Sequence, residues 1–315
     1  MRAFYDKKRF RYLDKDLSKI NWIQYCGSEN IWKTASFYGD KFNIYIDTSD
    51  GVNEDLPIKE YCGRILKVVQ ESKGKPFLYF KAAFSPVLSK NIIDIAKKNN
   101  GKVVPFFKWS FNENFYKYLR PNRKELIKKL NSSKKTIDAG FCSSLDDYIY
   151  PKPDQNMNIV SWRDKKRFDI GLGESTGYFL VRTRKDIYEK LNYSNISFFH
   201  SKKLPYEQFI NHSLSWKSCL NVPGIGEYTS RMFDHCFLGQ CLVLRKTSYD
   251  FGYSWKEYLP EIDYNKKSWE TEFQKLLDDY KIWAEKSFFY FNEYWTGSTV
   301  IKYFLDEIER FNEIS

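Results

Sequence analysis

A chain of 315 residues exceeds the roughly 100–200 that one hydrophobic core organises, so its length implies two domains with a cleft between them. Hydrophobic residues make up 42% and aromatic residues 19%, which excludes a disordered chain. The formal charge of +11 does not by itself choose between nucleic acid, an anionic membrane and an anionic substrate, but scattered lysine pairs such as Lys97-Lys98, Lys128-Lys129 and Lys165-Lys166 read as a solvated surface and rank nucleic acid low.

In chain order, the first clear strand is FNIYID (Phe42 to Asp47), followed by the polar loop TSDG. From Pro57 to Glu71, Ile58, Tyr61, Ile65, Leu66, Val68 and Val69 recur near helical spacing, with Pro57 in a first-turn position. PFLYFKAAF (Pro76 to Phe84) predicts a second strand, LSKNIIDIAKKNNG a helix stopped by Gly101, and KVVPFF a third strand. This alternation implies a parallel sheet covered on both faces, Rossmann-like but without the GxGxxG fingerprint of dinucleotide enzymes.

A helix over Asn122 to Ser133 leads to KKTIDAGF, the expected first strand of a second unit. The expected division is 1–134 for an acceptor-side domain, 135–287 for a nucleotide-binding domain, and 288–315 for a C-terminal helix returning to the first. The six cysteines show no zinc spacing, and the adjacent pairs Asp146-Asp147 and Asp278-Asp279 do not make an Asp-x-Asp metal motif. No apolar run reaches 18 residues and no signal-type segment follows the basic start, so a cytoplasmic protein without a membrane span is expected.

Chemistry concentrates between Lys217 and Leu244, KSCLNVPGIGEYTSRMFDHCFLGQCLVL. SCLNV reads as a buried strand, Pro223-Gly224-Ile225-Gly226 as a tight turn, and Glu227 to Leu238 as a helix ended by Gly239. A helix N-terminus offers unsatisfied N–H groups and partial positive charge, and Ser230 and Arg231 in its first turns add a hydroxyl and a guanidinium fork for a diphosphate. A second group, Arg163, the glycine-rich loop Gly171 to Gly177 with Ser175 and Thr176, and then Arg182 and Arg184 before the helix RKDIYEKL, supplies the other side of a clamp. Lys217, Glu227 and Tyr228 are further donor-site candidates.

The run K-x-x-L, then Gly224 or Gly226, then the adjacent pair Ser230-Arg231, continuing to a glycine and a valine, is similar to the C-terminal signature of glycosyltransferase family 90, K-x-x-L-x-x-x-G-x-x-x-S-x-R. That group holds fungal capsule xylosyltransferases and protein O-glucosyltransferases. The matching residues are Lys217, Leu220, Gly224 or Gly226, Ser230, Arg231, Gly239 and Val243. Upstream, GESTG followed by VRTR is similar to the family's hydroxylated loop and arginine, without its compact Arg-Gly start. The likeness covers about residues 160 to 262. It implies a GT-B architecture, with two Rossmann-like domains and the nucleotide sugar on the second. It also implies inversion at the anomeric carbon without a bound metal, with Ser230 and Arg231 on the diphosphate and Arg182 or Arg184 beside them.

An inverting transfer needs a carboxylate to deprotonate the acceptor and positive charge for the departing nucleotide diphosphate. Ligands bind beyond the carboxyl ends of parallel strands, which makes Asp47 or Asp50 the candidate base; turn and capping roles fit both equally well. Lys81, near the end of the second predicted strand, is either a cleft residue or a surface one. The function expected from these residues is transfer of a sugar, xylose or glucose, from a UDP-sugar to a hydroxyl of a glycan or glycoprotein. It requires no cofactor and no metal. The alternative is a non-catalytic basic module that binds nucleic acid or an anionic glycan.

Overall fold

The computed structural model describes residues 22–24, 31–34, 41–47, 62–106, 114–143, 145, 175–202, 204–222, 229–252 and 254–314. Its first sheet has three parallel strands, β3 (Asn43–Asp47), β4 (Phe77–Ala82) and β5 (Gly101–Phe106), in that spatial order. An antiparallel pair, β1 (Trp22–Gln24) and β2 (Ile31–Thr34), extends it beyond β3.

Side chains alternate along a strand, so odd and even positions of β3 and β4 serve opposite cores. Tyr45, Phe77 and Tyr79 pack against Ile65 and Val68 of α1 (Gly63–Ser72) and Ile92 and Ala96 of α2 (Lys90–Lys98). Ile44, Ile46, Leu78, Phe80, Val104 and Phe106 face the other way, onto the C-terminal helix α9 (Gly297–Ile314), through Val300, Phe304, Ile308 and Phe311. Both faces being covered, all six residues of the central strand β4 are buried. Pro105 is accommodated because β5 is the edge strand.

Gly101 does not stop the preceding helix. Asn100 takes the left-handed turn, with φ 59°, and Gly101 begins β5, where a Cβ would lie 2.2 Å from the Phe77 ring. The helix expected from Pro57 is described from Gly63 onward.

The second sheet is parallel throughout, with β6 (Ile137–Cys142), β7 (Phe198–Ser201), β8 (Trp216–Asn221), β9 (Cys241–Arg245) and β10 (Glu261–Ile262) in the spatial order β7-β6-β8-β9-β10. α4 (Ser175–Asn192) and α7 (Trp269–Asp278) cover one face through Ile187, Leu191, Phe273 and Leu277. α3 (Arg123–Ser132), α5 (Tyr206–Ser213), α6 (Ser230–Leu238) and α8 (Tyr280–Tyr294) contribute to the core on the other. Trp216 lies over Gly140 so closely that a Cβ there would meet its ring at 2.2 Å.

The cores cut across the chain order of the elements. Phe115, Leu119, Leu126 and Leu130 share the core around Trp216 and Phe237. Tyr290, Phe291 and Trp295 belong there too, whereas Val300, Phe304, Ile308 and Phe311 of α9 join the core of the first sheet.

The two units touch through loops at the carboxyl ends of their strands. Ser85, just past β4, meets Ser248 hydroxyl to hydroxyl at 2.6 Å, and the Asp250 N–H donates to the Phe84 carbonyl at 2.9 Å. The result is an α/β protein with two parallel-stranded, helix-covered sheets. No helix among the described residues is long and apolar enough to cross a membrane.

Candidate functional site

In an open parallel sheet the ligand crevice lies outside the carboxyl ends of the strands, where the strand order reverses. In the second sheet that point falls between β6 and β8. β6 leads to β7 on one side, whereas β8 takes its place on the other side of β6.

Four groups meet there. Thr229, the residue before α6, is extended (φ −122°, ψ 151°), yet its side chain does not cap the helix. Instead its hydroxyl donates to Asn221 Oδ1 at the end of β8, 2.8 Å away. The side chain that would ordinarily satisfy a first-turn N–H is thus held by the neighbouring strand, and the N-terminus of α6 keeps its partial positive charge.

Arg231, second in that helix, donates through Nη1 to the carbonyl of Cys142, the last residue of β6, and lies 5.4 Å from the centroid of the Phe209 ring. Among the described residues no other hydrogen bond to its guanidinium forms, leaving four of its five N–H groups for a ligand. Burial draws its pKa downward, but arginine stays charged.

Ser143 follows Cys142 and is 6% exposed. Its Oγ has no hydrogen-bond partner among the described residues, whereas its carbonyl accepts from His200 Nε2 at 2.8 Å. A buried hydroxyl without a partner is uncommon and marks a position where a ligand atom or ordered water completes the site. An uncapped helix end, a guanidinium and a vacant hydroxyl at one sheet edge suit a phosphate or diphosphate.

Several sequence candidates are placed differently from expectation. Ser175 and Thr176 are not in a loop: they open the 18-residue helix α4, which runs through Arg182 and Arg184. The apolar positions Ile187 and Leu191 carry the helix onto the sheet, and serine and threonine are ordinary residues at a helix start. Arg184 is half-buried on that helix. Lys217 stands at the amino end of β8, paired with Asp138 at 2.6 Å, and four residues of strand, ~13 Å, separate it from Asn221. Ser230 opens α6, its side chain outside the described residues. Arg163, Gly224, Gly226, Glu227, Tyr228 and Asp50 also lie outside them, as does the side chain of Arg182.

At the carboxyl edge of the first sheet, Asp47 ends β3 opposite Lys81 of β4. Its Oδ2 accepts from the Tyr79 hydroxyl at 2.7 Å and lies 3.7 Å from Arg64 at the start of α1. Lys81 is buried as well, and its ammonium donates to the Ala82 carbonyl at 2.8 Å. Burial of an acid and a base side by side at a strand edge is tolerated because each is paired. The loop from this edge is the one that meets Ser248 and Asp250 of the second unit.

A cleft of about 280 Å³ opens between α4 and the carboxyl ends of β9 and β10, lined among others by Thr183, Asp186, Lys190, Arg245 and Asp263. Cys142, Cys219, Cys236 and Cys241 are buried thiols whose pKa burial pushes up, so they are not nucleophiles. Among the described residues no group of three or more His, Cys, Asp or Glu side chains could hold a metal ion.

Sequence reasoning missed Ser143, Asn221, Thr229, Tyr79 and Arg64. Ser143 follows a predicted strand as Asp47 does, and the same strand-end rule finds it once the strand order is known. No family model matches the chain, and no curated protein matches it.

Proposed function

We propose that this protein is an inverting glycosyltransferase of GT-B architecture that moves a sugar, xylose or glucose, from a UDP donor to a glycan or glycoprotein hydroxyl. The observation that carries this reading is the uncapped N-terminus of α6 with Arg231 anchored on the Cys142 carbonyl at the point of strand reversal. The similarity of the Lys217 to Val243 segment to glycosyltransferase family 90 supplies the donor class.

In the reaction, an acceptor hydroxyl oxygen attacks the anomeric carbon from the face opposite UDP. The new C–O bond forms as the bond to the β-phosphate oxygen breaks, and the hydroxyl proton passes to a carboxylate, Asp47 or Asp50. UDP departs with an added negative charge, which Arg231, the α6 N–H groups and the Ser143 hydroxyl stabilise where they already stand. These fixed positive groups take the role that a metal plays in other transferases. Arg182 or Arg184 completes the clamp from α4.

The test is turnover. Incubated with UDP-xylose or UDP-glucose in EDTA, with a mixed oligosaccharide acceptor, the protein should release UDP and form a product of inverted anomeric configuration, read by proton NMR. A retained configuration, or UDP release that needs an added divalent cation, would contradict the proposed chemistry.

A further inference from the structure

At the amino edge of the second sheet, away from the N-terminus of α6, a cavity of about 810 Å³ lies between the end of α3 and the N-terminal half of α8. Its walls include the buried side chains of Leu130, Leu238 and Trp216, with Ala284 and Phe288 of α8 facing them. Lys217 lines it too, at the opposite end of β8 from Asn221, so the cavity is separate from the crevice at the carboxyl edge. Apolar walls carrying a few fixed polar groups are the ordinary make-up of a small-molecule site.

Charge decides what such a cavity admits. Lys217 is neutralised by Asp138 at 2.6 Å. Lys135, also in the wall, is not: its ammonium donates to the Leu130 carbonyl at 3.2 Å and the Leu214 carbonyl at 2.6 Å, and it forms no ion pair among the described residues. Those bonds use two of its three N–H donors and leave the third. Burial draws its pKa downward, the direction expected of a half-buried ammonium without an anion beside it. Lys281 and Glu285, one turn apart on α8, line the cavity as well, and neither forms an ion pair among the described residues. With Lys217 and Asp138 cancelling, the wall keeps an excess of positive charge, and a partly buried charge is stable when an opposite one offsets it.

We propose that this cavity is a second ligand site, for a small organic anion with one negative charge and a flat or chain-like apolar body. The anionic head accepts from Lys135, with Lys281 beside it, and the body lies against Trp216, Leu238 and Phe288. The site stands on its own and does not rest on the donor-site reading.

Two fluorescent probes separate head from body. Anilinonaphthalene sulfonate carries an aromatic body and a permanently ionised sulfonate, and N-phenylnaphthylamine carries the same rings without the charge. Wild type should bind the sulfonate saturably and about tenfold more tightly than the amine, the difference shrinking in high salt. Ala284→Trp, which fills the cavity, should weaken both probes about tenfold or more. Lys281→Glu, at an exposed position, should weaken the sulfonate alone, about three- to fivefold, and Lys135→Gln should weaken it about tenfold. Unchanged affinities in folded Ala284→Trp would place the probes elsewhere and overturn the site. Equal binding of the two probes, unmoved by the lysine changes, would overturn its preference for an anion. No saturable binding of either would overturn the proposal entirely. If Ala284→Trp and Lys135→Gln fail to fold, Lys281→Glu decides: a weakened sulfonate with an unchanged amine supports the site, and an unchanged sulfonate overturns it.

Discussion

Arg231→Ala should weaken UDP binding about 10- to 100-fold, the loss expected when charge-assisted hydrogen bonds worth ~1.5–3 kcal/mol are removed. Arg231→Lys should fall between, because an ammonium keeps the charge but not the fork. Neither change should unfold the protein. The lost contact to the Cys142 carbonyl is a single hydrogen bond, worth about 1 kcal/mol net. Calorimetric titration beside a thermal melt separates the two effects: unchanged UDP affinity in a folded Arg231→Ala protein would remove Arg231 from the donor site.

The other large effect is expected far from that site. Phe304 of α9 lies 4.4 Å from Phe80 and 6.2 Å from Phe106, ring centroid to ring centroid, and is 2% exposed. Phe304→Ala should cost ~3–5 kcal/mol, the lost burial plus the cavity left behind. That is a large share of a stability of about 5–15 kcal/mol, so the denaturant midpoint of the first sheet should drop sharply. The proposed donor site is built on the second sheet, around a different core, so UDP affinity below the melting transition should stay within about twofold. A midpoint equal to wild type would mean that α9 does not hold the first sheet together.

What the sequence carries well is burial on both faces. FNIYID and PFLYFKAAF are runs too apolar for a one-sided strand, and they form β3 and β4 within a residue or two of their predicted ends. Gly239 closes α6 as expected, with φ 77°. β1 and β2 were not legible, since three or four residues of mixed polarity give no period to read. The stretch GESTGYFLVRTR misled because glycine and hydroxyl residues suggest a loop, while Ile187 and Leu191 supply the packing that carries α4 back to Ser175.

The site was legible in its parts but not in its assembly. That a helix begins near Ser230 and Arg231 could be read from the turn-to-helix pattern, because a helix start is a local feature. That Cys142 receives Arg231, and that Thr229 turns to Asn221 instead of capping α6, depends on β6 and β8 being neighbours. They are 79 residues apart in register, Ile137 opposite Trp216, and pairing at that distance is set by the whole fold rather than by either strand. Lys217 shows the converse: it belongs to the resembling segment by spacing, yet the rise of a strand carries it to the far edge of the sheet, onto Asp138.

The most direct test of the donor-site assignment is a melting-temperature panel of nucleoside diphosphates and their sugars, in EDTA and at fixed salt, because a ligand that binds only the folded state stabilises it by mass action. The account predicts that UDP and one UDP-sugar raise the melting temperature, and that Arg231→Ala abolishes most of the rise. No shift with any nucleotide, together with tight heparin or DNA binding that salt removes, would contradict it and identify a basic binding module instead.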